Sequence, residues 1–512
     1  MNKLLFTFIL IVASNAGIAQ KKKTVYDTKF ELSNELKGQK GLGFMTLGSD
    51  GNNLYSMSTK GAIVNGIPMG FKYVLNKYDS KMNHVLSENV PMKTDAYKIG
   101  YYTGITIGMY GNRIIQTVAG YNKKTSKESF YVVEYNTSSL KPRGRLFLDS
   151  YKAKKKGKTK SKNFATTIHD PKNSDEFAVI IQSSKTSTKS TASLFIIDKS
   201  LKIMQKSEFG IEGSYEQTRF TNYMITEDFV SFVCIIKGKK GWPDKANFYL
   251  IDRETESINS FEILLKDIGN DISDFECAIH EDGRLYVSGF YKADGEKVND
   301  SGGAFTQIYT INDGAIVSQD IHPFTFEFIT EKMTEKQKKK TAKRSSKGKD
   351  IDAFSYLVRH VIPNADGSST LVAERYRYYQ TTTTDSKGRT TTVDHYIHSD
   401  LIIMRTSQEG KIEWIERFKK YNHSTSPYQG PFLFMDGETD FNIVYYEDET
   451  IKIAKISKED GKGKAKDVFT KKEIGSFPIS IGSAVQISEN LYLAQFARLK
   501  KSRMLTIEFD AK

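Results

Sequence analysis

Short runs of alternating apolar and polar residues fill this chain, and almost none of it carries the 3.6-residue spacing of an amphipathic helix. Alternation at period two places one face of a strand in a core and the other toward water. The runs are punctuated by Gly, Asn and Asp, the residues that tight hairpin turns need. One pattern returns roughly every 50 residues: a strand, a polar turn, a strongly apolar strand, a variable polar stretch, a third strand, a short turn and a last amphipathic strand. It is plainest in "DFECAIHEDGRLYVSGFY" followed by "AFTQIYTINDGAIVSQDIHPF", and again in "SYLVRHVIPNADGSSTLVAERY" followed by "SDLIIMRTSQEGKIEWIERF". One stretch, Phe326 to Lys340, predicts a short helix.

Eight such units are delimited at 41–91, 97–151, 163–211, 215–265, 271–324, 350–420, 426–469 and 475–509. Four-stranded meanders at this period predict an all-β fold, a single β-propeller of about eight four-stranded blades. Seven blades is the alternative, because one of the last two units reads as an irregular half; two packed β-sandwiches is a weaker one. The last unit offers only three strands, and "TVYDTKFELS" near the N-terminus supplies the missing outer one. The N-terminal strand is thus expected to close the last blade and leave no open seam.

The chain opens "MNKLLFTFILIVASNAGIAQ": a lysine, an apolar run of about ten residues, and small residues at Gly17 and Ala19. That order predicts a signal peptide over 1–19, with the propeller spanning 20–512. No Cys follows the apolar run, so no lipid anchor is expected. The expected location is exported: periplasmic, outer-membrane-associated or extracellular. In that setting a nucleic-acid partner is not expected. Cys234 and Cys277 are the only cysteines. Export permits a bridge between them, while their apolar strand settings suit two buried free thiols.

Charge refines the picture. The formal net charge is +14. Residues 151–162 hold seven lysines and no acid, and residues 331–350 hold nine Lys or Arg against three acids. These two insertions carry nearly all of the basic excess. Both lie between blades, on the face that also carries the loops between second and third strands, and those loops are basic too. The turns between first and second strands are instead rich in Asp and Glu. One basic face and one mildly acidic face are predicted, although turn geometry and solvation alone also select such residues.

Catalytic and cofactor signatures are missing: there is no G-x-S-x-G, H-E-x-x-H, C-x-x-C, P-loop or G-x-G-x-x-G. The eight histidines are scattered, and the best metal-like cluster is Asp394, His395, His398 and Asp400 in "VDHYIHSD". "HEDG" and "SDGNN" lack full calcium-loop spacing and read as turns. Glu374, an acid inside an apolar strand, is expected to pair with Arg375 or Arg405. The long stretch "RYRYYQTTTTDSKGRTTTVDHYIH" predicts a two-stranded ribbon with Tyr376 and Tyr378 on one face. No cofactor and no metal are therefore expected.

The expected function is a non-catalytic binding or scaffold module, more a binder than an enzyme. It would contact an anionic glycan, lipopolysaccharide or an acidic envelope protein through Lys154, Lys155, Lys156, Lys239, Lys240, Trp242, Lys338, Lys339, Lys340, Arg344, Tyr376 and Tyr378. The alternative is a carbohydrate-active enzyme, a glycoside hydrolase or lyase, with carboxylates near the central channel. The segment "ADGSSTLVAERY…SDLIIMRTSQEGKIEWIERF", with a leader ending "IAQ", resembles uncharacterised secreted, cell-envelope β-propeller-like proteins of Bacteroidota. That resemblance implies a fold and an envelope location, and no particular activity or oligomeric state.

Overall fold

In the computed structural model the alternating runs become eight antiparallel sheets, each a meander in chain order. The structure describes residues 21–509 apart from 34–41, 65–66, 91–101, 111, 123–124, 153–162, 169–174, 185–188, 215, 239–242, 269–270, 281, 293–300, 332, 347–355, 426–431, 476–483, 489 and 499–500. Seven blades span 42–89, 102–152, 163–212, 218–263, 272–323, 356–424 and 433–469, and the eighth combines 485–509 with 21–32. These limits follow the units marked on the sequence. The predicted signal peptide lies outside the described residues. Among the described residues no helix is long and apolar enough to cross a membrane.

The eighth blade departs from expectation in one detail. "TVYDTKFELS" does not run as one strand but folds into a hairpin, Lys21–Val25 against Thr28–Leu32. Tyr26 and Asp27 both hold left-handed φ angles, 50° and 62°, the pair a two-residue hairpin turn requires. Thr28–Leu32 is the missing outer strand, pairing Phe30 with Ile507 and Leu32 with Leu505. Lys21–Val25 adds a fifth strand outside it.

The ring is closed by packing on both sides of this blade. Phe30, Leu32, Leu505 and Ile507 share a core with Ile451 and Ile453 of blade 7. Leu493 and Met504 share another with Leu54, Tyr78 and Met82 of blade 1. The same logic repeats around the molecule: each apolar cluster mixes two adjacent blades, as where Val233 and Ile235 of blade 4 meet Phe275 and Cys277 of blade 5. Eight blades are present rather than seven, and the sandwich alternative is set aside. Cys234 and Cys277 are both buried and free, and they sit in different inter-blade clusters.

The predicted helix splits in two. Phe326–Thr330 is capped by the Thr325 hydroxyl, which accepts from the Phe328 amide. Glu335–Ser345 follows after a break. The break has a local cause. Thr334 and Gln337 form a reciprocal cap: the Thr334 amide donates to Gln337 Oε1 at 2.8 Å and the Gln337 amide to Thr334 Oγ1 at 3.4 Å. Phe324, Phe328 and Ile329 pack on the core between blades 5 and 6, so the start of this insertion belongs to the fold while its lysine-rich helix faces water.

Candidate functional site

The first strands of blades 4, 5 and 6 meet one another in turn, as inner strands of adjacent propeller blades do. In blade 5 that strand is Ile272–Ile279, "ISDFECAI", where Phe275 and Cys277 are buried while Asp274, Glu276 and Ala278 stay partly exposed. Acid and apolar residues therefore alternate across the two sides. In blade 4 the first strand is Thr218–Ile225, half-buried along nearly its whole length. Its ladder slips between Thr221 and Met224, and Asn222 in this slip has φ 54°. The slip frees the Asn222 amide to grip the next blade. Its Nδ2 donates to the Cys277 carbonyl and its Oδ1 accepts from the Cys277 amide at 3.3 Å.

Two carboxyl groups extend this stitching. Asp274 Oδ2 accepts from the Val358 amide of blade 6 at 2.9 Å. Glu276 Oε1 faces the Arg219 guanidinium at 3.0 Å, and its Oε2 accepts from Thr221 Oγ1 at 2.8 Å. Burial pushes Asp274 up to about 6, with the Val358 amide and Arg219 opposing and the Glu276 charge adding to the rise. Burial also raises Glu276, against the pull of Arg219 and Thr221. Glu276 is still 16% exposed, so solvent or a ligand can reach it. A carboxyl raised by burial to about 6 beside a second one held by a guanidinium can give and take protons.

A second ionic cluster lies deeper in blade 6. Glu374 is fully buried; its Oε2 accepts from Arg359 at 2.8 Å and lies 2.8 Å from His398 Nδ1, and its Oε1 pairs with the buried Lys420. Burial opposes its charge, yet Lys420, His398 and Arg359 hold it down at about 2. Burial lowers Lys420 despite Glu374. Arg375 and Arg405 are not its partners. A register shift between Glu374 and Arg375 parts them; Arg375 lies 3.9 Å from Asp400, and Arg405 binds Asp366 and Glu413. With one buried carboxylate gripping three side chains from three other strands, this cluster reads as a tie holding the base of the ribbon.

The ribbon itself is as the sequence predicts: Ser369–Thr384 pairs with Thr390–Thr406 out to a turn at Asp385–Arg389. Tyr376 lies against His398 with ring centroids 5.1 Å apart, and Tyr378, 48% exposed, donates to Asp394 at 2.8 Å. The four "VDHYIHSD" residues separate. Asp394 accepts from Tyr378 and Gln380, His395 lies 3.0 Å from His423, His398 joins Glu374, and Asp400 faces Arg375. "SDGNN" is a turn in which Asp50 Oδ1 accepts the Asn52 and Asn53 amides. "HEDG" places Asp282 between His280 and Arg284.

Half of the sequence-predicted binding residues fall within the described structure. Lys154, Lys155, Lys156, Lys239, Lys240 and Trp242 lie outside the described residues. Lys338, Lys339, Lys340 and Arg344 share the helix Glu335–Ser345, where Lys338 pairs with Glu335 at 3.2 Å. Tyr376 and Tyr378 stand on the ribbon. The Asp274–Glu276–Arg219 group was not singled out in the sequence. Its signal was present in "DFECA", where two acids alternate with core residues on a first strand.

No protein-family model and no curated protein matches the chain. Solved structures align along most of it. The Synechocystis apocarotenoid oxygenase mutant Trp-to-Ala form is 11% identical over 84% of this chain and 94% of that chain, with TM-score 0.34. A cobalt-substituted Synechocystis ACO is 11% identical over 85% and 95%, TM-score 0.35. A chimera of ACO and RPE65 is 10% identical over 85% and 95%, TM-score 0.35. These neighbours are titled as an oxygenase, whereas the sequence suggested a non-catalytic binding or scaffold module, more a binder than an enzyme; that expectation is withdrawn, and the likeness itself, with TM-scores under 0.5, carries no argument about activity. Likeness at this level transfers no reaction. Among the described residues no three His, Cys, Asp or Glu side chains converge as metal ligands, so no metal step is derived for this chain.

Proposed function

We propose that the chain is an exported propeller enzyme that cleaves a glycosidic linkage by acid–base chemistry at the inner strands of blades 4 to 6. One observation carries this reading: Asp274 and Glu276, two residues apart on one strand, are both raised by burial, Asp274 to about 6. Near neutral pH Asp274 is partly protonated and serves as the acid. Glu276, whose carboxylate oxygens face Arg219 and Thr221, serves as the second carboxyl. A positioned acid of matched pKa contributes roughly 10²–10⁴ in rate. The lysine-rich helix Glu335–Ser345 favours an anionic polysaccharide as the substrate, and the leader-like first residues favour action outside the cytoplasm.

The test is product release from a panel of neutral and anionic polysaccharides, by reducing ends for hydrolysis and by ultraviolet absorbance of unsaturated sugar for elimination. Asp274→Asn is expected to lower kcat by about 10²–10⁴ while leaving the fold intact, because Asn keeps an acceptor for the Val358 amide. Activity that survives Asp274→Asn and Glu276→Gln unchanged overturns the assignment.

A further inference from the structure

A second site lies across blades 6, 7 and 8, on the face of the Asp- and Glu-rich turns. The turn Glu438–Asp440, between the first two strands of blade 7, separates two open cavities of about 710 and 220 Å³, and Glu438, Thr439 and Asp440 line both. Each cavity contains a buried asparagine whose carbonyl oxygen has no donor: Asn364 in the larger, 8% exposed, and Asn442 in the smaller, 3% exposed. The Asn364 amide nitrogen is already committed, donating to Ser368 Oγ at 2.8 Å and Thr370 Oγ1 at 3.2 Å. Its oxygen is thereby fixed as an acceptor. A buried acceptor without a donor is costly, and two of them in adjoining cavities call for donors from outside.

The charges around them point the same way. The basic groups of the groove are spoken for: Lys458 lies 2.8 Å from Asp436, Lys455 3.4 Å from Asp440, and Arg405 2.6 Å from Asp366. Glu438 and Glu459 line the groove and make no ion pair among the described residues. Unmatched on these walls are two amide oxygens and two carboxylates. An ammonium group, with three donors and no acceptor, complements such a wall.

We infer that this groove binds a linear diammonium or polyammonium ligand, with one ammonium in each cavity and Glu438 between them. The inference is independent of the acid–base site in blades 4 to 6 and stands or falls separately.

The test is isothermal titration of the full chain with spermidine, ethylamine and glucose, alongside Glu438→Gln and Asn442→Leu. Glu438 is exposed, so its replacement leaves the fold alone, and an unchanged melting profile checks this. Spermidine is expected to bind at least tenfold more tightly than ethylamine, to weaken about tenfold in Glu438→Gln and to weaken steeply with salt. Asn442→Leu is expected to weaken it too, without loss of thermal stability. Absence of spermidine binding overturns the proposal, as does equal affinity for ethylamine, unchanged affinity in Glu438→Gln, or binding of Ca²⁺ in preference to the amine.

Discussion

The substitution Asp274→Asn should stabilise the protein at neutral pH while crippling its chemistry. The carboxyl sits at about 6 in the folded chain, against an ordinary value of 3.8. The folded state therefore binds a proton more tightly than the unfolded state. Below the ordinary value both states are protonated and the group contributes nothing. As pH rises through the window between the two values, the unfolded state ionises first and gains, and above about pH 7 the folded state carries the full penalty. A gap of about two pKa units corresponds to about 3 kcal/mol. Asn cannot ionise, so the variant escapes this penalty and keeps its acceptor for the Val358 amide. Urea unfolding of both proteins at several pH values measures the effect. The midpoints should coincide near pH 4 and separate progressively up to about pH 7, the variant being the more resistant, with unchanged slope. Glu276 couples to Asp274, so the transition belongs to the pair and Glu276→Gln should narrow it. Equal midpoints at every pH, or a variant less stable at neutral pH, would refute the claim that burial holds this carboxyl out of its ordinary range.

Lys420→Met leaves Glu374 buried with its closest cation gone and should cost about 3–5 kcal/mol, read as a lower urea midpoint; the double change with Glu374→Leu should recover much of that loss. Asp27→Gly, at φ 62° in the N-terminal hairpin, should add about 0.5–1 kcal/mol of stability, read as a higher urea midpoint. Cys234, whose thiol burial pushes up to about 12, and Cys277 should resist thiol reagents in the native protein and react within the dead time once unfolded, followed by mass spectrometry. Removal of residues 21–33 should expose the edge of Lys501–Phe509, seen as new protease cleavage and concentration-dependent association.

The blade plan was legible because each blade solves the same problem: two faces to bury, four strands, three turns. Period-two alternation and turn residues report that solution directly, which is why the limits of units five and six coincide with sheets. The seam was legible from counting, since a last unit with three strands needs a fourth. The hairpin at Tyr26–Asp27 was less so, because neither residue is the glycine that announces a left-handed turn. The candidate site was the least legible part. Asp274 and Glu276 owe their character to burial and to Arg219, which is contributed by another blade at a sequence distance of 57 residues from Glu276. No local pattern encodes that distance. Glu374 was visibly out of place in its strand, yet its partners Arg359, His398 and Lys420 come from three other strands, and a bulge turns the neighbouring Arg375 away. Surface charge was the reverse case: conspicuous in the sequence, it drew attention to lysines of which Lys338, Lys339 and Lys340 share one helix and the rest lie outside the described residues.

The closing strand sets an order of events for the growing chain. Thr28–Leu32 is made well before its partner Lys501–Phe509. The Met504 amide reaches Ser33 Oγ at 2.9 Å across 471 residues of chain. Until that last strand arrives, Phe30 and Leu32 have no sheet to join, and Leu54, Tyr78 and Met82 of blade 1 lack their apolar neighbours. Seven blades can assemble in sequence while the eighth cannot exist at all. Closing a loop of this length costs about 5 kcal/mol by the logarithmic law, offset only when both flanks of the last blade dock together. The molecule is thus a ring with a single late clasp. A chain lacking Lys501–Phe509 would lose the clasp and leave two sticky surfaces, making that strand the natural checkpoint between a closed ring and an aggregation-prone arc.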